Sequence, residues 1–113
     1  PLPSTFEALD PAENFFEGRA VSSLDLDNCF AGWDGSIRLV HPAQGLAISM
    51  TASQAFSNLV VYCPPGEGLL CAEPVSHVNN AARIPGLPAD QALDLLDRGE
   101  CLSGCIMIEV LEL

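Results

Sequence analysis

The chain has 113 residues, 49% of them apolar, with fifteen acids against four arginines and a formal net charge of −11. That length fits one small domain or a piece of a larger one, and the apolar share is ample for a core. With no lysine in the sequence, phosphate-loop and Schiff-base chemistry are excluded, and a nucleic-acid backbone or an anionic membrane surface finds no clustered cations.

In chain order, Pro1 to Gly18 is rich in proline and acid and reads as loop, with a short helical turn near Ala12 to Phe16. From Leu24 onward the pattern favours strands. Asp34-Gly35, between Phe30-Ala31-Gly32-Trp33 and Ser36-Ile37-Arg38-Leu39-Val40, predicts a hairpin turn. A break follows at His41-Pro42-Ala43-Gln44-Gly45. Leu46, Ile48 and Met50 then recur with period two, the mark of a half-buried strand.

Leu59-Val60-Val61-Tyr62-Cys63 is β-branched and apolar, and Pro64-Pro65-Gly66 stops it. Leu69 to Ala72 reads as a further short strand. Ala89 to Asp97 has helical spacing at Ala92, Leu93 and Leu96, enough for a helical turn or two. Gly104 to Leu113 is apolar on both faces apart from Glu109 and Glu112.

Strands every ten or so residues, joined by Gly/Pro turns, predict an all-β fold, an antiparallel sandwich or barrel, over a single domain 1–113. A terminal strand with two apolar faces needs cover on both sides. So few strands can hardly supply it, so part of the sandwich is expected in a missing segment or a partner chain. The chain opens at Pro1 rather than methionine, which also leads us to expect processing or truncation.

Five cysteines stand at 29, 63, 71, 101 and 105. Odd in number and set in or near apolar runs, they read as small hydrophobes rather than a disulfide framework. Cys101 and Cys105 lack the second pair or close histidine of a zinc set. No metal site is expected from them, no apolar run approaches the ~20 residues of a membrane span, and a reducing, cytoplasmic location fits.

Two polar places invite chemistry. Asp25 and Asp27 lie at i and i+2, on one face of a strand, although acids before a hairpin also favour a solvated turn. Glu73 follows an apolar run, precedes Pro74 and stands four residues before His77. Pro74 biases Glu73 toward extended backbone. A carboxylate held in an apolar pocket there would have its pKa raised and serve as a general base. The competing reading makes Glu73 a wet strand end and His77 a loop residue. His41, before a proline in a break, is given no role, and no Gly-x-Ser-x-Gly elbow supports a serine triad.

Taken in order, "LDNCFAGWDG" (26–35), "LVVYCPPG" (59–66) and "CAEPVSHVNNA" (71–81), with "EGRAV" (17–21) before and "GECLSGCIMIEV" (99–110) after, resemble the C-terminal part of the aldose 1-epimerase, or galactose mutarotase-like, family. The resemblance implies a large antiparallel β-supersandwich. It implies interconversion of the α and β anomers of a free aldose, a hexose, without cofactor or metal. It sets Glu73 as the catalytic base, Asp27 as a ligand for a sugar hydroxyl and His77 as a lining residue.

There are departures. The family's acid histidine and its second sugar-binding histidine lie upstream of everything present, and Arg98-Gly99-Glu100 stands where the family has Pro-Gly-Glu. Asn79-Asn80-Ala81-Ala82-Arg83 replaces an Asp-Ala-Phe-Asn type of run. The expectation is therefore an incomplete epimerase, whose partner is a missing N-terminal half or a homodimer mate. The alternative is a non-catalytic remnant that binds carbohydrate or forms a dimer.

Overall fold

The computed structural model describes Glu7, Ala8, Phe15 and residues 17–113. The helical turn expected near Ala12 to Phe16 lies outside the described residues, Phe15 apart. Six strands follow one another: β1 (Leu26–Ala31), β2 (Ser36–His41), β3 (Leu46–Ala52), β4 (Asn58–Cys63), β5 (Cys71–Val75) and β6 (Ile106–Glu112). A 3-10 turn at Val21–Ser23 precedes β1, and others stand between strands at Pro42–Gln44 and Ala81–Arg83. The fold is all-β, and no helix among the described residues is long and apolar enough to cross a membrane.

The strands form two three-stranded antiparallel sheets, ordered β1-β4-β5 and β2-β3-β6. In β4 the period-two rule sends Leu59, Val61 and Cys63 inward and leaves Tyr62 exposed. Leu24 and Leu26 join them in the buried core, and Phe30, Trp33, Ile37, Met50, Leu70 and Ala72 pack around it. Ile37 and Met50 come from the second sheet, so the core lies where one face of each sheet meets.

The second sheet has its own apolar face. Its register aligns Ile37 with Met50 and Ile108, and Leu39 with Ile48 and Val110. The first sheet covers only part of it. An apolar cavity of about 270 Å³ opens between Ile37, Leu39, Ile48 and Ile108 on one side and Leu70 and Ala72 on the other. β6 is exposed along its whole length, although the two apolar faces of "GCIMIEVLEL" call for cover on both sides.

Two sequence expectations change. Asp34-Gly35 does turn the chain, but β1 pairs with β4 and β2 with β3. The dipeptide is thus a corner between sheets and not a hairpin. The strand expected at Leu69–Ala72 starts later and runs through Glu73 and Pro74. The helical turn or two expected of Ala89 to Asp97 is a single turn: the Gln91 and Ala92 amides both donate to the Pro88 carbonyl (3.0 Å each), and it does not propagate.

Candidate functional site

Glu73 is the central residue of the edge strand β5, flanked by Ala72 and Pro74. Ala72 takes an inward position against the core, so alternation turns Glu73 outward. Pro74 has no amide hydrogen to give a sheet, which an edge strand tolerates. The carboxylate expected in an apolar pocket is instead exposed. The apolar cavity lies across the sheet, on the Ala72 side. What the sequence signals there, a rigid extended segment around the acid, is present; the enclosing wall is not.

The register decides which groups share a face with Glu73. Val60 faces both Glu73 and Cys29, and Tyr62 faces both Cys71 and Asp27. Paired residues of an antiparallel ladder point to the same side. Asp27, Cys29, Val60, Tyr62, Cys71 and Glu73 therefore occupy one face, opposite the core. Two strand spacings and two residues along the strand separate Asp27 from Glu73, about 12 Å between their Cα atoms. Tyr62 stands between them, directly across from Asp27 and diagonal to Glu73, and is 40% exposed. Asp27 is exposed too.

The loop after β5 folds back over the same face. A backbone hydrogen bond from Asn79 reaches the half-buried Cys29 thiol. Val78 is buried, and its amide donates to the Gln91 carbonyl (3.0 Å). His77, half-buried, stands two residues before Asn79, with Nδ1 3.3 Å from the Ser76 hydroxyl. The three residues named from the resemblance thus come from one sheet face and the segment tied to it. Tyr62 escaped notice in the sequence. The signal available was that a lone tyrosine in an otherwise apolar strand must put its hydroxyl in water or on a partner.

Burial pushes the Cys29 thiol above its ordinary value, and the Asn79 hydrogen bond works against that rise. A thiol raised in the folded state lends stability while protonated and loses it as pH climbs past the free thiol's range. Unfolding measurements should therefore show that contribution decline at alkaline pH. Iodoacetamide at mildly alkaline pH should label the exposed Cys101 and Cys105 well before Cys29 and the buried Cys63. Peptide mass mapping checks the order, and equal labelling of Cys29 would contradict it.

No family model, no curated protein and no solved structure matches this chain.

Proposed function

We propose that the outward face of β1-β4-β5 binds a pyranose sugar and carries the base-bearing part of an aldose 1-epimerase site. The observation supporting this reading is the register, which stations the two carboxylates, Asp27 and Glu73, exposed on one face with Tyr62 between them. The Tyr62 ring offers an amphipathic platform for the sugar, Asp27 accepts a hydrogen bond from one hydroxyl, and His77 borders the site.

In the reaction, Glu73 takes the proton of the anomeric hydroxyl, whose oxygen becomes the carbonyl oxygen. The C1–O5 bond breaks, its electron pair moves to O5, and an acid delivers a proton there. Rotation about C1–C2 and the reverse steps close the other anomer and restore both protons. Two placed proton-transfer groups meet the whole chemical demand. On the resemblance neither His41, which ends β2 in the other sheet, nor His77, which borders the site, takes the place of the family's acid, so this reading draws the acid from another segment or chain. That arrangement also favours the second reading, sugar binding without turnover by this chain alone.

Exchange between glucose or galactose anomers, followed by polarimetry or magnetisation transfer, tests the enzyme reading. The expected result is a rate above the buffer blank that Glu73→Gln lowers at least ~100-fold. Calorimetric titration with the same sugars tests binding, which Asp27→Ala should weaken roughly tenfold through one lost charge-assisted hydrogen bond. Binding without rate supports the second reading. A chain that neither binds nor accelerates exchange, alone or with its complementing segment, overturns both.

A further inference from the structure

Between β5 and β6 three leucines stand in water. Leu93 is 40%, Leu95 89% and Leu96 51% exposed, and no other large apolar side chain among the described residues is as exposed as Leu95. Residues 93–97 belong to no strand, helix or turn, so neither sheet requires these side chains where they are. A group of exposed apolar side chains marks an interaction site. Three aspartates, Asp90, Asp94 and Asp97, are interleaved with them.

The segment is written as a helix that the free chain does not complete. Pro88 suits a first helical position, Asp90 the first turn and Arg98 the last. Gly99 follows with φ +91°, in the positive-φ region where helices stop. At about 100° per residue, Ala89, Ala92, Leu93, Leu95 and Leu96 fill one arc of roughly 160°. Asp90, Gln91, Asp94, Asp97 and Arg98 fill the rest. The first turn is present, since the Ala92 amide donates to the Pro88 carbonyl (3.0 Å). Beyond it, groups of the helical ladder are engaged elsewhere. The Asp90 carbonyl, due to the Asp94 amide, accepts from the Ser57 hydroxyl and from Asn58 Nδ2. The Gln91 carbonyl, due to Leu95, holds the Val78 amide. The Asp97 amide, due to the Leu93 carbonyl, donates to the Glu100 carboxylate (2.9 Å). A helix over 88–98 is also shorter than the ~12–15 residues that hold together alone in water.

We infer that residues 88–98 are a docking segment that becomes a helix on a partner protein, one whose apolar groove is edged by lysine and arginine. The groove takes Leu93, Leu95 and Leu96, as amphipathic helices are commonly taken. The basic edge meets Asp90, Asp94 and Asp97, which fall on the adjoining arc. Burial of the leucines then offsets the cost of ordering the segment. A second copy of this chain does not supply such an edge, having no lysine, four arginines and a net charge of −11. An anionic bilayer repels the same aspartates. The inference uses nothing from the Asp27–Glu73 face and stands apart from the proposed sugar chemistry.

The probe is a designed helical bundle with a leucine-lined groove edged by lysines, titrated into the intact chain beside the same bundle edged by glutamates. The lysine version is expected to bind at least tenfold tighter, with an advantage that shrinks as salt is added. Hydrogen exchange followed by mass spectrometry should show residues 92–98 gaining protection in the complex. Leu95→Pro removes the Leu95 amide and turns Asp94 away from helical backbone, so it should weaken binding at least tenfold. No helix of the free chain depends on that position, so circular dichroism and the urea midpoint should be unchanged. Leu95→Met, a good helix former of similar volume, should bind within about threefold of wild type. Absence of binding, equal binding of the two bundles, or a complex in which residues 92–98 exchange freely overturns the inference. So does a complex indifferent to Leu95→Pro. Phosphatidylcholine vesicles that protect residues 92–98 more strongly than the bundle overturn it in favour of a lipid surface.

Discussion

Asn58→Asp should cost the fold about 3 kcal/mol or more at neutral pH, a large part of the stability of a small domain. Asn58 is wholly buried at the start of β4. Its Nδ2 donates to the Asp90 carbonyl (2.8 Å) and to the Ser57 hydroxyl (3.1 Å). Its Oδ1 meets no partner. An aspartate loses both donor bonds and sets a negative oxygen against the Asp90 carbonyl in a fully buried site. Burial raises the folded-state pKa of such a carboxyl above its unfolded value. The variant is therefore least impaired at acid pH and loses stability as pH rises through the folded pKa. Urea midpoints for wild type and variant at pH 4 and pH 7 check this, and a penalty that does not grow between them would refute it.

The same substitution reaches the candidate site. Asp90 adjoins Gln91, whose carbonyl holds the Val78 amide, and Val78 follows His77. The Asp90 carbonyl then keeps only the hydrogen bond from the Ser57 hydroxyl, which loosens the anchor of the segment that lies against Cys29. Residues 76–92 should then exchange their amide hydrogens faster at pH 7 under conditions where the sheets stay protected.

Gly35→Val should destabilise by about 3 kcal/mol through two separate effects. Gly35 has φ +86°, a conformation that a β-branched residue avoids. A Cβ built there also lies 3.0 Å from the Ala52 carbonyl oxygen at the end of β3. That end has little room to move, because the Ala52 amide donates to the Gly35 carbonyl (2.8 Å). Neighbouring bonds fix the corner further: the Trp33 indole donates to the Ser36 carbonyl (2.9 Å) and the Ser36 amide to the Asp34 carboxylate (3.0 Å). Gly45 provides the comparison, with φ +65° but nothing within 4 Å of its added Cβ. Gly45→Ala should cost only the backbone share, about 1 kcal/mol. Chemical denaturation of the two variants separates steric from conformational cost, and equal losses would rule out the clash.

What the sequence disclosed follows the range over which each signal acts. Leu46, Ile48 and Met50 lie on one face of β3 as their alternation requires, and the apolar run from Leu59 to Cys63 is a central strand. Both signals are local. Asp34-Gly35 is local too, and it does turn the chain. Whether the flanking strands then pair depends on competing partners, and β4 and β3 win them. Ala92, Leu93 and Leu96 carry helical spacing, but Gly86 and Pro88 precede them and Arg98-Gly99 follows, leaving too few residues to repay helix nucleation. The candidate site shows the same division. Pro74 marks an extended, rigid Glu73, which is a backbone property. Its exposure and its shared face with Tyr62 depend on register, which is set by distant residues.

The strand orders also bear on how the molecule is made. β3 gains its second neighbour only when β6 arrives, and residues 53–105 intervene. While the ribosome adds those residues, one side of β3 has nothing to bond. This low-charge, apolar stretch of a nascent polypeptide is therefore exposed to chaperones and to self-association until β6 has emerged.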